Sequence, residues 1–147
     1  MKFNEERTFG VELEFKAPGW VKDADGNIVI HAGRTNYDRP YYGEIARVLT
    51  EAGYPCEIGG YSGDLPVWKI TGDGSLNANW PRQCGELVSP PLKGFEGKEE
   101  LKAVLKLVKD RFGFTTDIST GLHVHQFASD LTVKQLGNVV ELYREHE

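Results

Sequence analysis

The stretch that decides the fold is RTFGVELEFKAP, residues 7–18, in which apolar and polar side chains alternate without a break. Phe9, Val11, Leu13 and Phe15 fall on one side, with Thr8, Gly10, Glu12, Glu14 and Lys16 on the other. That period of two is the mark of a strand buried on one face only. Such a strand belongs to a sheet with one packed and one polar face, and it places Glu12 and Glu14 together on the polar side.

Working outward, WVKDADGNIVIH (20–31) reads as a hairpin, with Asp25-Gly26 supplying the positive φ of a tight turn. DADGN also resembles the start of a calcium loop, but the twelfth position, which must be a bidentate glutamate, is Arg34. From Pro40 the period becomes helical, with Tyr41, Ile45, Val48, Leu49 and Ala52 on one face, Asp38 as N-cap and Gly53 as stop. EIGGYSGDLP (57–66) is a glycine-rich loop that lacks the spacing of a phosphate-binding loop. VWKITGDGSL (67–76) is a strand entering an Asp-Gly turn, and QCGELVSPPL (83–92) a strand stopped by two prolines. In the latter, Cys84, Glu86 and Val88 share a face.

GKEELKAVLKLVKDRFG (97–113) is the clearest helix, with Leu101, Val104, Leu105, Val108 and Phe112 as its stripe and Gly113 as its end. STGLHVHQF (119–127) is a strand with His123 and His125 opposite Leu122 and Val124. The chain closes on an amphipathic helix whose apolar face holds Leu136, Val139, Val140 and Tyr143. Hairpin turns without a series of βαβ units predict one α+β domain over residues 1–147, a mainly antiparallel sheet with helices on one face. Leu13, Phe15, Leu101, Leu105, Val124 and Val140 are its expected core, and the open face carries Glu12, Glu14, Glu86, His123 and His125.

Composition narrows the partners. The formal charge of −5, with dispersed lysines and arginines, argues against nucleic acid. No apolar run approaches a membrane span and the start has no apolar signal core, so no membrane partner and a cytoplasmic location are expected. Cys56 and Cys84 lack metal-ligand companions and read as free thiols.

A Glu-x-Glu or a His-x-His alone is compatible with a solvated strand face. Together they ask for a cation, because carboxylates two apart on a strand lie only about 6–7 Å from each other. Like charges that close raise a pKa unless a cation intervenes. Three carboxylates and an imidazole suit Mg²⁺ or Mn²⁺; a zinc site recruiting Cys84 is the alternative.

In this order, FGVELEF (9–15), DGSL (73–76) with GELVSPPL (85–92), and STGLHVHQF resemble the amidoligase family, relatives of glutamine synthetase and glutamate-cysteine ligase. The resemblance covers Arg7 to Glu147. It implies an antiparallel sheet of the glutamine synthetase type with the site on its open face. It also implies an ATP-dependent ligase that converts a small-molecule or peptide carboxylate to an acyl phosphate, which an amine or ammonia then displaces. Glu12, Glu14, Glu86 and His123 match metal ligands, His125 a position nearer the nucleotide, and Asp73 and Ser75 the catalytic Asp-Gly-Ser turn. Lys16, Arg34, Lys69 and Arg82 are available for phosphate, but none matches a basic position of the family. The family's chains are longer, and the last helix reaches Glu147 without a stop signal, so the domain is expected to be incomplete at its C-terminal end. An exposed strand edge and the apolar side of that helix would favour self-association or a partner chain that completes the site. On the residues alone a metal-dependent hydrolase and a noncatalytic metal- or nucleotide-binding subunit stay open beside the ligase.

Overall fold

The computed structural model describes residues 7–33, 38–59, 66–76 and 82–146, apart from the side chains of Tyr143 and His146. In chain order the strands are β1 (Thr8–Ala17), β2 (Trp20–Lys22), β3 (Ile28–His31), β4 (Cys56–Ile58), β5 (Trp68–Thr71), β6 (Gln83–Val88), β7 (Leu92–Lys93) and β8 (Leu122–Gln126). The helices are α1 (Arg39–Glu51), α2 (Gly94–Phe112) and α3 (Val133–His146).

The alternating segment is the longest strand, and it organises the sheet. One edge of β1 pairs antiparallel with β6, from Glu12 opposite Val88 to Ala17 opposite Gln83, and then with β7 at Thr8 and Phe9. The other edge pairs with β8, from Leu13 opposite Leu122 to Phe9 opposite Gln126. Pro90 and Pro91 cannot donate to a ladder, and Ser89 bridges the break. Its N–H donates to the Val11 carbonyl at 2.8 Å and its Oγ accepts from the Val11 N–H at 2.8 Å. Next to β6 lies β5, antiparallel, and then β4.

β4 runs parallel to β5, so the sheet is mixed, while its other pairings are antiparallel as expected. Turn residues mark where a chain leaves a strand and say nothing about the direction of its return. The two-residue strand β7 and the short β4 also lacked a periodic signal, being too short to show one. The hairpin of β2 and β3 forms a separate two-stranded sheet. Asp23 Oδ1 accepts from the N–H groups of Asp25 and Asn27, and Gly26 takes φ 86°. Arg34 and residues 60–65 of the glycine-rich stretch lie outside the described residues.

Asp38 caps α1 by accepting from the Tyr41 N–H, and Gly53, just beyond its end, takes φ 92°. α2 carries Glu96 in its first turn, Lys109 and Arg111 in its last, and ends on Gly113 in the left-handed conformation. Both helices share one core with the sheet: Tyr41, Ile45 and Leu49 from α1, Val104, Val108 and Phe112 from α2, and Phe15, Trp68, Ile70 and Leu87 from the strands. Phe15 stacks on Phe114 with ring centroids 3.7 Å apart. Trp68 Nε1 donates to Glu100 at 2.8 Å and ties β5 to α2.

Of the expected core, Phe15 is fully buried and Leu101 packs against the cluster's margin. Leu13 and Leu105 are half-buried and lie outside it. Val124 and Val140 are exposed, at 55% and 62%, as are Leu136 and Val139; Tyr143 falls among the undescribed side chains. Amphipathic period shows which face of a helix is apolar without naming what covers it. α1 and α2 cover the β1, β5 and β6 part of the apolar face, and no described element covers Leu122 and Val124 on β8.

Candidate functional site

The polar face is built from two rows that cross the strands. In the first, Thr71 of β5 lies opposite Glu86 of β6, and Glu86 opposite Glu14 of β1. In the second, Lys69 lies opposite Val88, Val88 opposite Glu12, and Glu12 opposite His123 of β8. One step further along β8, His125 lies opposite Gly10. The period-two pattern and the antiparallel register therefore bring Glu12, Glu14, Glu86, His123 and His125 to one face.

The side chains converge most closely at Glu12, Glu86 and His123, each of which offers a ligand atom within 4.8 Å of the others. Glu86 is only 1% exposed. His123 Nδ1 stands 3.1 Å from Glu12 Oε2, and His125 Nε2 stands 3.2 Å from Glu12 Oε1, so both oxygens of Glu12 face an imidazole. Burial raises the pKa of Glu12, but hydrogen bonds and charge from the two histidines together outweigh it and hold the carboxyl below its ordinary range. The Glu12 hydrogen bond raises the pKa of His123; partial burial opposes this, and the fields of Glu12, Glu14 and Glu86 reinforce it.

Glu14 stands beside this group rather than within it. Its Oε2 accepts a hydrogen bond from the Gly121 N–H, which turns the backbone just before β8 toward the carboxylate. A Cβ on Gly121 would stand 3.2 Å from His123 Nε2 and 3.3 Å from Glu14 Oε2, so glycine is what lets the two side chains close over it. Gly121 was not singled out by residue type, although its place two residues ahead of His123 was a signal available in the sequence.

Asp73 reaches the same place from the turn after β5. Its Oδ1 accepts from the Ser75 N–H at 2.7 Å, and Leu76 packs on Cys84 at the end of the polar face. The Ser75 backbone, followed by the Ser75 side chain, lowers the pKa of Asp73; burial opposes them, and contact with Glu14 and the charge of His123 lower it further. Ser75 thus orients Asp73. Beside Glu12 a groove of about 390 Å³ opens, lined by Gly10, Val88, Ser89, Pro91, His125 and Phe127. Cys56 and Cys84 form no disulfide, as expected, and no described helix is long and apolar enough to cross a membrane.

A cluster of hard oxygen donors with one imidazole, laid across β6, β1 and β8, draws one residue from each of the three sequence motifs. A family model described as "Putative amidoligase enzyme" matches residues 5–147. The chain belongs to this amidoligase family. No curated protein and no solved structure matches it. In this amidoligase-family chain the donor set fits a divalent cation: carboxylate oxygens suit Mg²⁺ or Mn²⁺, and one imidazole is tolerated best by Mn²⁺. Cys84 lies opposite Lys16 and is fully buried against Leu76, away from the Glu12, Glu86 and His123 group, which disfavours the zinc alternative.

Proposed function

We propose that this chain carries the metal and nucleotide platform of an ATP-dependent carboxylate-amine ligase, with the site on the polar face of a glutamine synthetase-like sheet. The observation that supports it best is the approach of Glu12, Glu86 and His123 to within 4.8 Å, with Glu86 buried. Two carboxylates and an imidazole that converge this closely offer one divalent cation oxygen and nitrogen donors together. Glu12, Glu86 and His123 would hold Mg²⁺ or Mn²⁺, with Glu14 completing the set from the neighbouring row. Bound there, the ion would bridge phosphate oxygens and offset the charge of the transferring phosphoryl group.

The remaining roles belong to the chain's own residues. His125 forms the wall of the groove beside Glu12, where it would meet the nucleotide. Asp73, held by Ser75 near Glu14, would accept a proton from an incoming ammonium or amine. The substrates would be a small-molecule or peptide carboxylate and an amine, joined as an amide. The exposed apolar residues of β8 and α3 favour a second reading of the same chain, in which a further apolar surface, from a partner or another copy, completes the site.

The test is ADP release in Mn²⁺ with a panel of carboxylates and amines. The ligase reading expects release that needs both partners and is lost in Glu12→Gln. Release that proceeds at the same rate without either would instead indicate a hydrolase.

A further inference from the structure

The site face holds a cation that the arrangement above leaves unused. Lys69 shares the transverse row of Glu12 and His123, separated from Glu12 by Val88. The residue is only 8% exposed, and its side chain makes no hydrogen bond or ion pair with the described residues. Its neighbour on the parallel strand, Glu57, is exposed and not bonded to it. Lysine is seldom buried this far without a partner.

Among the described residues, Lys16 is bound to Asp117 at 2.8 Å and Arg7 Nη2 to Asp130 at 2.9 Å, while Arg82 is exposed. Lys69 therefore stands apart in sharing the carboxylate face while none of the described carboxylates pairs with it. Two strand spacings, about 10 Å between backbones, separate it from Glu12. Val88 fills the row between them and has no polar atom, so the pair cannot close directly. An anion lying over Val88 would touch the ammonium at one end and an ion held by Glu12, Glu86 and His123 at the other.

We infer that Lys69 holds the phosphoryl oxygens of a nucleoside triphosphate over Val88, opposite the Glu12, Glu86 and His123 cluster. The inference rests on the ligase reading of the same site. Its physical basis is charge: a polyphosphate approaching a face of four carboxylates needs a fixed cation as well as metal, and a lysine ammonium is a compact donor for it.

The probes are MnCl₂ alone and inorganic tripolyphosphate with and without Mn²⁺, followed by calorimetry on the whole 147-residue chain. Lys69→Met should bind Mn²⁺ as the native chain does, yet lose about tenfold or more in tripolyphosphate affinity. Lys69→Arg, which keeps the charge, should retain most of it, and Lys69→Gln serves where methionine disturbs the melt. Glu12→Gln should lose Mn²⁺ itself, which separates the two roles. Should the native chain bind tripolyphosphate in a Lys69-dependent way while ignoring Mn²⁺, the metal reading fails and the Lys69 assignment stands. Equal tripolyphosphate binding by the native chain and Lys69→Met, or none by the native chain, overturns the assignment.

Discussion

Replacing Glu86 by glutamine should weaken the stabilisation that metal confers. Glu86 is 1% exposed, directly opposite Glu14, and offers an oxygen within 4.8 Å of ligand atoms on Glu12 and His123. Glutamine keeps the shape and an acceptor oxygen and removes the charge that a divalent cation would meet. Loss of a carboxylate ligand should weaken Mn²⁺ by about tenfold or more, about 1.4 kcal/mol. At a concentration of Mn²⁺ about 100 times the native Kd, the native chain should gain about 2.7 kcal/mol over its own stability in EDTA, and a tenfold weaker variant about 1.4 kcal/mol over its own. Urea melts of each chain in EDTA and in Mn²⁺ read the two gains. Equal gains in the native chain and in Glu86→Gln would refute the ligand role.

Phe112→Ala should cost about 3–5 kcal/mol in a urea melt, since its ring is fully buried between Tyr41 and Phe114, whereas half-buried Leu105→Ala should cost less than about 2 kcal/mol. Equal losses would mean the buried face of α2 is misplaced. Gly85→Ala would put a Cβ 2.7 Å from the Thr71 carbonyl oxygen and 2.5 Å from the Tyr42 hydroxyl, where that hydroxyl donates to the Cys84 carbonyl. A destabilisation of about 1–3 kcal/mol is expected, and a neutral result would show that β5 and β6 stand further apart. The raised pKa of His123 and the lowered one of Glu12 give their pair a defined window. Its stabilisation is present below the unfolded histidine value of about 6.5, is lost as pH rises through the raised folded value, and is lost again as pH falls through the Glu12 value. An NMR titration should place the His123 midpoint above 6.5 and move it down in Glu12→Gln; an unmoved midpoint would break the link.

The alternation over residues 7–18 was sufficient to place Glu12 and Glu14 on one face of a strand, because side chains on extended backbone must alternate. The caps of α1, the turn at Gly26 and the stop at Gly113 were legible for the same kind of local reason, each being set by the conformational needs of a few neighbouring residues. The carboxylates and histidines could be named from the sequence together with the family they resemble. Which of them meet could not. That Glu86 and His123 close on Glu12 while Glu14 turns to the Gly121 N–H depends on register, and register is settled by strands more than 70 residues apart in the chain. The place of Lys69, in one row with Glu12 but separated by Val88, belongs to the same class of fact. On α3 the apolar side is open, as expected, but Val140, which was expected in the core, is exposed with it, because periodicity records a preference for burial and tertiary contact alone supplies the surface that satisfies it.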